Sequence, residues 1–260
     1  MDKYGLIGYP LGHSFSISYF NEKFQNEGIN ARYINFEIPN IEQLPEIVAQ
    51  NPDLQGLNVT IPYKQKVMQY LDTVSPEARA IGAVNVIKVV HKGKNTLLKG
   101  YNSDVIGFTR SIEPLLTNHH QKALILGTGG AAKAISYGLR SLGLQTLFVS
   151  RYERPGTIRY EQITPDVVHE YNVIVNCTPV GMYPRTVECP NLPYEALDSR
   201  NLLYDLLYNP DETLFMYKGR KQGATVKNGL EMLLLQAFAS WEIWNENLER
   251  ESLKSGINNK

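Results

Sequence analysis

The chain has 260 residues, 43% of them hydrophobic, and its 26 basic side chains balance 26 acidic ones. The length allows one large domain or two smaller ones with full hydrophobic cores, and the balanced charge argues against binding to nucleic acid or to a membrane surface. No apolar run reaches the roughly eighteen residues that a membrane span needs, and the N-terminus shows no signal-peptide pattern, so we expect a cytoplasmic protein.

Strand-like apolar runs alternate with helix-like stretches along most of the chain, which predicts an α/β fold. The first hundred residues are predicted to hold three strands, two helices and an antiparallel hairpin. The strands are 4–8, 32–36 and 56–59, the helices are 16–27 and 41–50, and the hairpin strands are 83–90 and 96–99 with a turn at 91–94. Gly93 permits the positive φ of that tight turn.

A helix-like connector over 105–117 leads to the most hydrophobic short strand, 123–126, which opens a second α/β unit. The later strands are predicted at 146–149, 173–175, 201–205 and 224–226. A last long helix, from about 230 to 248, carries apolar side chains at helical spacing. We expect this helix to pack against the first domain, so that residues 1–104 and 230–260 form one domain and residues 105–229 the other. The tail from 254 is expected to fray.

The two cysteines, Cys177 and Cys189, are too few for a disulfide framework and lack the spacing of metal ligands. We expect reduced, structural thiols, in keeping with a cytoplasmic protein. The adjacent histidines His119 and His120 lie in a polar connector, and we interpret them as solvated linker residues. The sequence therefore predicts no metal site.

Two polar runs end in residues suited to proton transfer. The run N-V-T-I-P-Y-K ends in Lys64, and the run G-Y-N-S-D ends in Asp104. Neutral hydrogen-bonding residues stand just upstream, namely Asn58, Thr60 and Asn102. An ammonium and a carboxylate can move a proton while amides and hydroxyls bind the other oxygens of a polyhydroxylated substrate. Without this context, Lys64 would be interpreted as a surface lysine and Asp104 as a helix N-cap.

A glycine-rich loop, G-T-G-G-A-A, follows the strand 123–126 and precedes an Ala-rich helix-like stretch. This is the G-x-G-x-x-A form of the dinucleotide fingerprint, in which the second glycine lets the backbone approach a pyrophosphate. The helix N-terminus adds N–H groups that favour phosphate. We predict that Gly127, Thr128, Gly129, Gly130 and Ala131 bind a dinucleotide, so that a hydride transfer accompanies the proton transfer.

The end of the next strand bears on the choice between NAD and NADP. An NAD site places an acidic residue about 20 residues after the loop, to accept from the ribose 2′-hydroxyl. Here the strand ends in Ser150 and Arg151, with Arg154 shortly after. A guanidinium suits a 2′-phosphate and stacks on adenine, so NADP is predicted. Glu153 leaves ribose binding open, and a solvated loop is the alternative interpretation of both arginines.

Together these motifs resemble the shikimate dehydrogenase family, whose members reduce 3-dehydroshikimate to shikimate with NADPH in aromatic amino-acid biosynthesis. The resemblance runs from residue 8 to residue 236. Besides the two polar runs it includes H-S-F-S at 13–16, G-A-V-N at 82–85, N-C-T-P-V-G-M at 176–182, D-L-L-Y-N-P at 205–210 and G-L-E-M-L-L-L-Q at 229–236. It implies an α/β substrate domain and a Rossmann-like NADP domain, with the active site in the cleft between them.

The resemblance also implies roles for single residues. Lys64 and Asp104 are the implied catalytic pair, and because a coupled pair titrates as a unit, the formal acid stays open. The implied substrate ligands are Ser14, Ser16, Thr60, Asn85, Asp104, Tyr208 and Gln236. The implied cofactor contacts beyond the glycine loop are Ser150, Arg151, Arg154, Thr178, Leu206 and Gly229. We expect a small-molecule substrate and a monomer or homodimer.

The chain departs from the family pattern in the substrate motifs, where Ile17 stands for proline, Phe20 for histidine, and Val86 and Ser103 for threonine. At the cofactor loop, the family's N-R-T is S-R-Y at 150–152, and a second basic residue, Arg154, comes one position early. Neither implied catalytic residue is changed. Two alternatives remain open. One is a quinate/shikimate dehydrogenase with relaxed substrate and NAD use, and the other is a non-catalytic NADP-binding redox sensor.

Overall fold

The computed structural model describes residues 1–12, 15–93 and 95–246. His13, Ser14 and the predicted tail lie outside the described residues. The chain divides into two compact units, which we call the first unit (1–79, 83–103 and 237 onwards) and the second unit (80–82 and 104–236). Each unit contains one six-stranded sheet, and the predicted α/β class is confirmed.

The first unit is built on a mixed sheet. Its strands are β1 (Asp2–Gly8), β2 (Ala31–Glu37), β3 (Leu54–Val59), β4 (Thr73–Val74), β5 (Val86–Lys92) and β6 (Asn95–Tyr101). Its helices are α1 (Phe15–Asn26), α2 (Leu44–Gln50) and most of α3 (Pro76–Ile81), with 3-10 turns at Ile41–Gln43 and Lys66–Tyr70. The strand order is β2-β1-β3-β5-β6-β4, in which β1 is parallel to β2 and β3 whereas β5 is antiparallel to β3 and β6.

The second unit is built on a wholly parallel sheet. Its helices are α4 (Asp104–Ile112), α5 (Gly130–Ser141), α6 (Pro165–Glu170), α7 (Leu214–Lys221) and the first part of α8 (Leu230–Asn245), with 3-10 turns at Glu113–Leu115, Tyr160–Gln162 and Tyr194–Ala196. Its strands are β7 (Lys122–Leu126), β8 (Gln145–Ser150), β9 (Thr157–Arg159), β10 (Val173–Asn176), β11 (Leu202–Asp205) and β12 (Thr225–Lys227). The strand order is β12-β11-β10-β7-β8-β9. All strands run parallel, but the order in which the chain adds them reverses between β10 and β7. Sheets of this kind bind nucleotides at such a switch point.

Alternation along the strands explains why each sheet carries apolar clusters on both faces. In β1, Tyr4 and Leu6 belong to one cluster and Ile7 to the other. In β7 of the second unit, Leu124 likewise belongs to one apolar cluster and Ile125 to the other. Successive side chains of a strand point to opposite faces, so a strand that is apolar at every position needs cover on both sides.

Two predicted elements, the hairpin and the 105–117 helix, differ most from the structure in their boundaries. The hairpin ladder includes His91 and Lys92, which pair with residues 96 and 95, so the turn is shorter than predicted. Residues 83–85, which were predicted to open the hairpin, precede β5 in the structure. Their backbone groups form hydrogen bonds with neighbouring segments of the chain, as described below. The predicted 105–117 helix begins at residue 104 and ends at Ile112, since Pro114 lacks the N–H that an α-helix needs and lies in a 3-10 turn. Among the described residues, no helix is both long and apolar enough to cross a membrane.

Candidate active site

Thr60 leaves the carboxyl end of β3 beside the carboxyl end of β1. Its N–H donates to the Ile7 carbonyl at 2.8 Å. A Cβ atom on Gly8 would lie 2.5 Å from Cγ2 of Thr60, so glycine at this position is what lets Thr60 approach the strand end. The predicted substrate ligand Thr60 is therefore fixed by its backbone at the carboxyl ends of β1 and β3, with its methyl group against Gly8.

Lys64 follows on a short segment whose backbone is fixed on both sides. Tyr63 is buried, and its hydroxyl donates to the Ile38 carbonyl at 2.6 Å. The Lys64 carbonyl accepts the Val84 N–H at 2.7 Å. Lys64 itself is half-buried. An ammonium carried by such a constrained backbone can be held in one position with respect to a substrate.

Asn85 connects the segment of Lys64 with the segment of Asp104. Its backbone carbonyl accepts the Val59 N–H at 2.8 Å, and its N–H donates to the Tyr101 carbonyl at 3.1 Å. Its side chain holds Ser103 through both amide atoms, because Oδ1 accepts the Ser103 N–H at 2.6 Å and Nδ2 donates to Ser103 Oγ at 3.0 Å. The motif predicted a substrate ligand here; the structure adds that Asn85 fixes the residue before Asp104.

Ser16 lies in the first turn of α1 and is half-buried. Ser14, the other predicted carboxylate ligand, lies outside the described residues. The structure therefore brings Ser16, Thr60, Lys64 and Asn85 into the first unit.

Asp104 and Gln236 belong to the second unit, on adjoining helices. Asp104 is the first residue of α4 and is buried. One turn later, a Cβ atom on Gly107 would lie 2.6 Å from the Met232 carbonyl oxygen and 3.0 Å from the Gln236 Cβ, so glycine allows α4 to meet α8. Gln236 Nε2 donates to the Leu233 carbonyl at 3.0 Å. The helices that carry these two predicted substrate ligands are thus in contact at Gly107.

The glycine loop joins β7 to α5 as the fingerprint predicts. Gly127 has a φ of +109°, and a Cβ atom there would lie 3.3 Å from Cγ2 of Thr178. Gly129 is the residue before α5, and a Cβ atom on it would meet nothing within 4 Å. The open space beside Gly129 and the first-turn N–H groups of α5, which begins at Gly130, fit a dinucleotide pyrophosphate.

The loop after β8 brings both predicted arginines to the same sheet edge. Ser150 is buried at the end of β8 and accepts the Tyr152 N–H at 3.2 Å. The exposed Arg151 guanidinium lies 5.8 Å from the centre of the Tyr152 ring. Arg154 Nη1 donates to Thr128 Oγ1 at 3.4 Å, which places a second guanidinium at the glycine loop. Two cations and a phosphate-binding loop at one edge fit a nucleotide with an additional phosphate.

The loops after β10 and β11 are joined by a buried polar cluster that the sequence did not predict. Asn176 Oδ1 accepts the Thr178 N–H at 3.1 Å and its hydroxyl at 2.6 Å, and Asn176 Nδ2 donates to Asp205 at 3.0 Å. Asp205 also accepts the Leu207 N–H at 3.1 Å and the Thr213 hydroxyl at 2.7 Å. Burial raises the pKa of Asp205 to about 6, and these hydrogen bonds oppose that rise.

This cluster orders the loops that carry the remaining predicted cofactor residues. Leu206 follows Asp205 directly, and its N–H donates to the Asn176 carbonyl at 3.0 Å. The Gly229 N–H donates to the Leu207 carbonyl at 2.9 Å, and a Cβ atom on Gly229 would overlap the Leu206 carbonyl. Tyr208 is exposed just beyond. A polar residue that ends a fully buried strand, as Asn176 and Asp205 do, is the sequence signal for such a cluster.

Both cysteines are free thiols, and burial raises the pKa of Cys177, which makes it a poor nucleophile. Within the described ranges, no three His, Cys, Asp or Glu side chains form a group that could hold a metal ion.

Comparison with known proteins identifies relatives of this chain. A family model described as the shikimate dehydrogenase substrate binding domain matches residues 6–87. The shikimate dehydrogenase (NADP⁺) of Caldicellulosiruptor saccharolyticus is 36% identical over 94% of this chain and 92% of its own length. The chain belongs to the shikimate dehydrogenase family. The family that the motifs predicted is thereby confirmed, and with it the class of NADP-dependent oxidoreductases acting on a CH–OH group.

Solved structures of shikimate dehydrogenases agree with this assignment. A chorismate mutase/shikimate 5-dehydrogenase fusion protein from Clostridium acetobutylicum is 38% identical, with a TM-score of 0.83 over 94% of this chain and 91% of that chain. The shikimate 5-dehydrogenase of Thermus thermophilus, solved with NADP(H) and shikimate, is 29% identical, with a TM-score of 0.82 over 94% of both chains. The predicted two-domain fold with a Rossmann-like domain is confirmed.

Proposed function

We propose that the protein catalyses the reversible NADPH-dependent reduction of 3-dehydroshikimate to shikimate. The observation that carries the proposal is the pair of backbone hydrogen bonds from Val59 to Asn85 and from Val84 to Lys64. These bonds join two chain segments, so that an ammonium, a hydroxyl and an amide come from neighbouring points of the first unit. Such a set can hold ring oxygens and supply one proton.

Within this proposal, the bound nicotinamide supplies the hydride that goes to ring C3. Lys64 donates a proton to the C3 oxygen and stabilises the negative charge that develops there. Asp104 is assigned to orient the same hydroxyl. Ser14 and Ser16 hold the substrate carboxylate through neutral hydroxyls.

The other side chains position the two molecules. Thr60, Asn85, Tyr208 and Gln236 contact the substrate ring and its hydroxyls. For the cofactor, residues 127–131 hold the pyrophosphate, and Ser150, Arg151 and Arg154 hold the adenosine 2′-phosphate. Thr178, Leu206 and Gly229 border the nicotinamide. The hydrogen bond between Arg154 and Thr128 supports this assignment, because it connects the two phosphate sites.

Turnover of 3-dehydroshikimate with NADPH and with NADH, measured in parallel, tests the proposal. Lys64→Ala is expected to lower kcat by roughly 10²- to 10⁴-fold, the usual contribution of a proton donor. Lys66→Ala is the matched control, since Lys66 is an exposed lysine two residues on and should leave kcat unchanged. Equal use of NADH, together with turnover of quinate, would favour the relaxed quinate/shikimate enzyme. Tight NADPH binding without any turnover would favour the redox sensor.

A further inference from the structure

A chain of hydrogen bonds between buried side chains crosses the interior of the first unit. The Tyr33 hydroxyl donates to Asn58 Oδ1 at 2.9 Å, and Asn58 Nδ2 donates to Ser240 Oγ at 3.0 Å. Ser240 Oγ lies 3.0 Å from Ser103 Oγ, which in turn accepts from Asn85 Nδ2 at 3.0 Å. Each of these five residues exposes 6% or less of its surface. We call this the buried polar chain.

Both ends of the buried polar chain lie close in sequence to residues for which we propose substrate binding. At one end, Tyr33 bonds to Asn58, which stands two residues before the proposed ligand Thr60. At the other end, Asn85 and Ser103 hold each other, and Ser103 directly precedes Asp104. Tyr33 and Ser240 have no proposed contact with the substrate. They come from β2 and from α8, elements that contribute none of the proposed ligands in the first unit.

The surroundings of the buried polar chain are aromatic. The Tyr33 ring stacks on Phe20, with ring centres 4.8 Å apart and planes 14° from parallel, and Trp244 packs on both. In so apolar a site, a hydrogen bond is strong and directional, and a lost partner is costly. Hydrophobic side chains could fill this volume without polar groups. A fully connected polar chain instead fixes the orientation of each member.

We propose that Tyr33 and Ser240 are positioning residues for substrate binding. Tyr33 holds Asn58, and Ser240 holds Asn58 and Ser103, so that the segments that carry Thr60 and Asn85 keep one spacing. This inference rests on the proposed function, because it assigns the buried polar chain to the shikimate site. It predicts that removing either hydroxyl weakens substrate binding and leaves cofactor binding unchanged.

The test is steady-state kinetics of Tyr33→Phe and Ser240→Ala with shikimate and NADP⁺. Each variant should raise KM for shikimate about tenfold, the effect expected from one unsatisfied buried hydrogen-bonding group, with KM for NADP⁺ within twofold of wild type. Tyr204→Phe and Ser111→Ala are matched controls. These two residues form an equally buried tyrosine–serine hydrogen bond of 2.7 Å in the second unit, and their variants should leave KM for shikimate within twofold.

The KM readout separates positioning from stability, because KM does not depend on how much of the enzyme is folded. Thermal melts of all four variants give the stability lost in each. An unchanged KM for shikimate in Tyr33→Phe and Ser240→Ala, with losses of stability like those of the controls, would overturn the inference and leave the proposed function standing. A wild-type protein that does not turn over shikimate would overturn both.

Discussion

At the scale of single residues, the two arginines after β8 are proposed to recognise the 2′-phosphate of the cofactor. Arg154 reaches Thr128 in the glycine loop, and Arg151 lies over Tyr152. If both bind a 2′-phosphate, their loss affects NADPH and not NADH. We expect Arg151→Ala and Arg154→Ala each to raise KM for NADPH by roughly tenfold or more, as the loss of a charge-assisted hydrogen bond does, with KM for NADH unchanged.

Arg159→Ala is the control for these variants. Arg159 is exposed near the same sheet edge, and its side chain pairs with Glu161 at 3.1 Å. Its removal changes the net charge equally and should leave both KM values as in wild type. A similar rise in KM for NADH in the Arg151 and Arg154 variants would show that these arginines order the loop and do not bind the 2′-phosphate.

Asp205 gives a pH dependence whose sign follows from its burial. Its pKa is raised to about 6, so between pH 7.5 and pH 5 the folded protein takes up a proton that the unfolded chain does not. The free energy of unfolding of the wild type should therefore rise on acidification, relative to Asp205→Asn, by roughly 1 kcal/mol. Urea unfolding of both proteins at the two pH values measures the difference. A difference that shrinks on acidification would contradict it.

The candidate site was predictable where its residues occupy contiguous motifs. Lys64, Asp104 and the glycine loop stand in short runs whose residue types and spacing carry the chemistry, and their roles remain predictions. Tyr33 and Ser240 were not predictable in this way, because each meets Asn58 only after folding. Ser240 does carry a signal, since it is the one hydroxyl residue on a largely apolar helix, but its partner cannot be read from the sequence.

At the scale of elements, the end of α8 packs on the sheet of the first unit through Trp244. Its Nε1 donates to the Ile87 carbonyl at 3.1 Å, and a Cβ atom on Gly56 would overlap its indole ring. Gly56→Ala should therefore cost about 1–3 kcal/mol of unfolding free energy by overpacking. In a Trp244→Ala background, which itself should cost about 3–5 kcal/mol, the same change should cost much less, because the space is vacated.

Denaturant unfolding of the two single variants and the double variant measures this coupling. Gly12→Ala is the control, because a Cβ atom there meets nothing within 4 Å. If the losses of unfolding free energy from Gly56→Ala and Trp244→Ala simply add in the double variant, the indole ring is not what excludes a larger side chain at residue 56.

The same elements show how far periodicity predicts this fold. The predicted strands of both sheets and the helices α1, α2 and α8 are confirmed. Most of these runs are long enough to show their period, although β12 is as short as β9. The pattern missed β4 and β9, which have two and three residues, and the six-residue helices α3 and α6. Elements this short contain less than two periods, and neighbouring segments determine their conformation. The eight-residue α7 was likewise not predicted individually.

At the scale of the whole molecule, α8 contributes to the cores of both units. Met232 packs in a core of the second unit, and Ala237 and Trp244 pack in a core of the first. A helix that loses its packing at one end loses much of the support that stabilises it, because isolated helices of this length are marginal in water. The two units are therefore expected to unfold together in one cooperative transition.

Tryptophan fluorescence can test this expectation, because both tryptophans of the chain, Trp241 and Trp244, belong to the first unit. NADP⁺ is proposed to bind the second unit, and at a hundred times its Kd it should stabilise the folded protein by about 2.7 kcal/mol. If the units unfold together, NADP⁺ should raise the urea midpoint seen by tryptophan as much as that seen by circular dichroism. Arg154→Ala at the same NADP⁺ concentration should reduce both shifts. The two units would unfold independently if NADP⁺ left the urea midpoint seen by tryptophan unchanged while circular dichroism showed a second transition at a higher urea concentration.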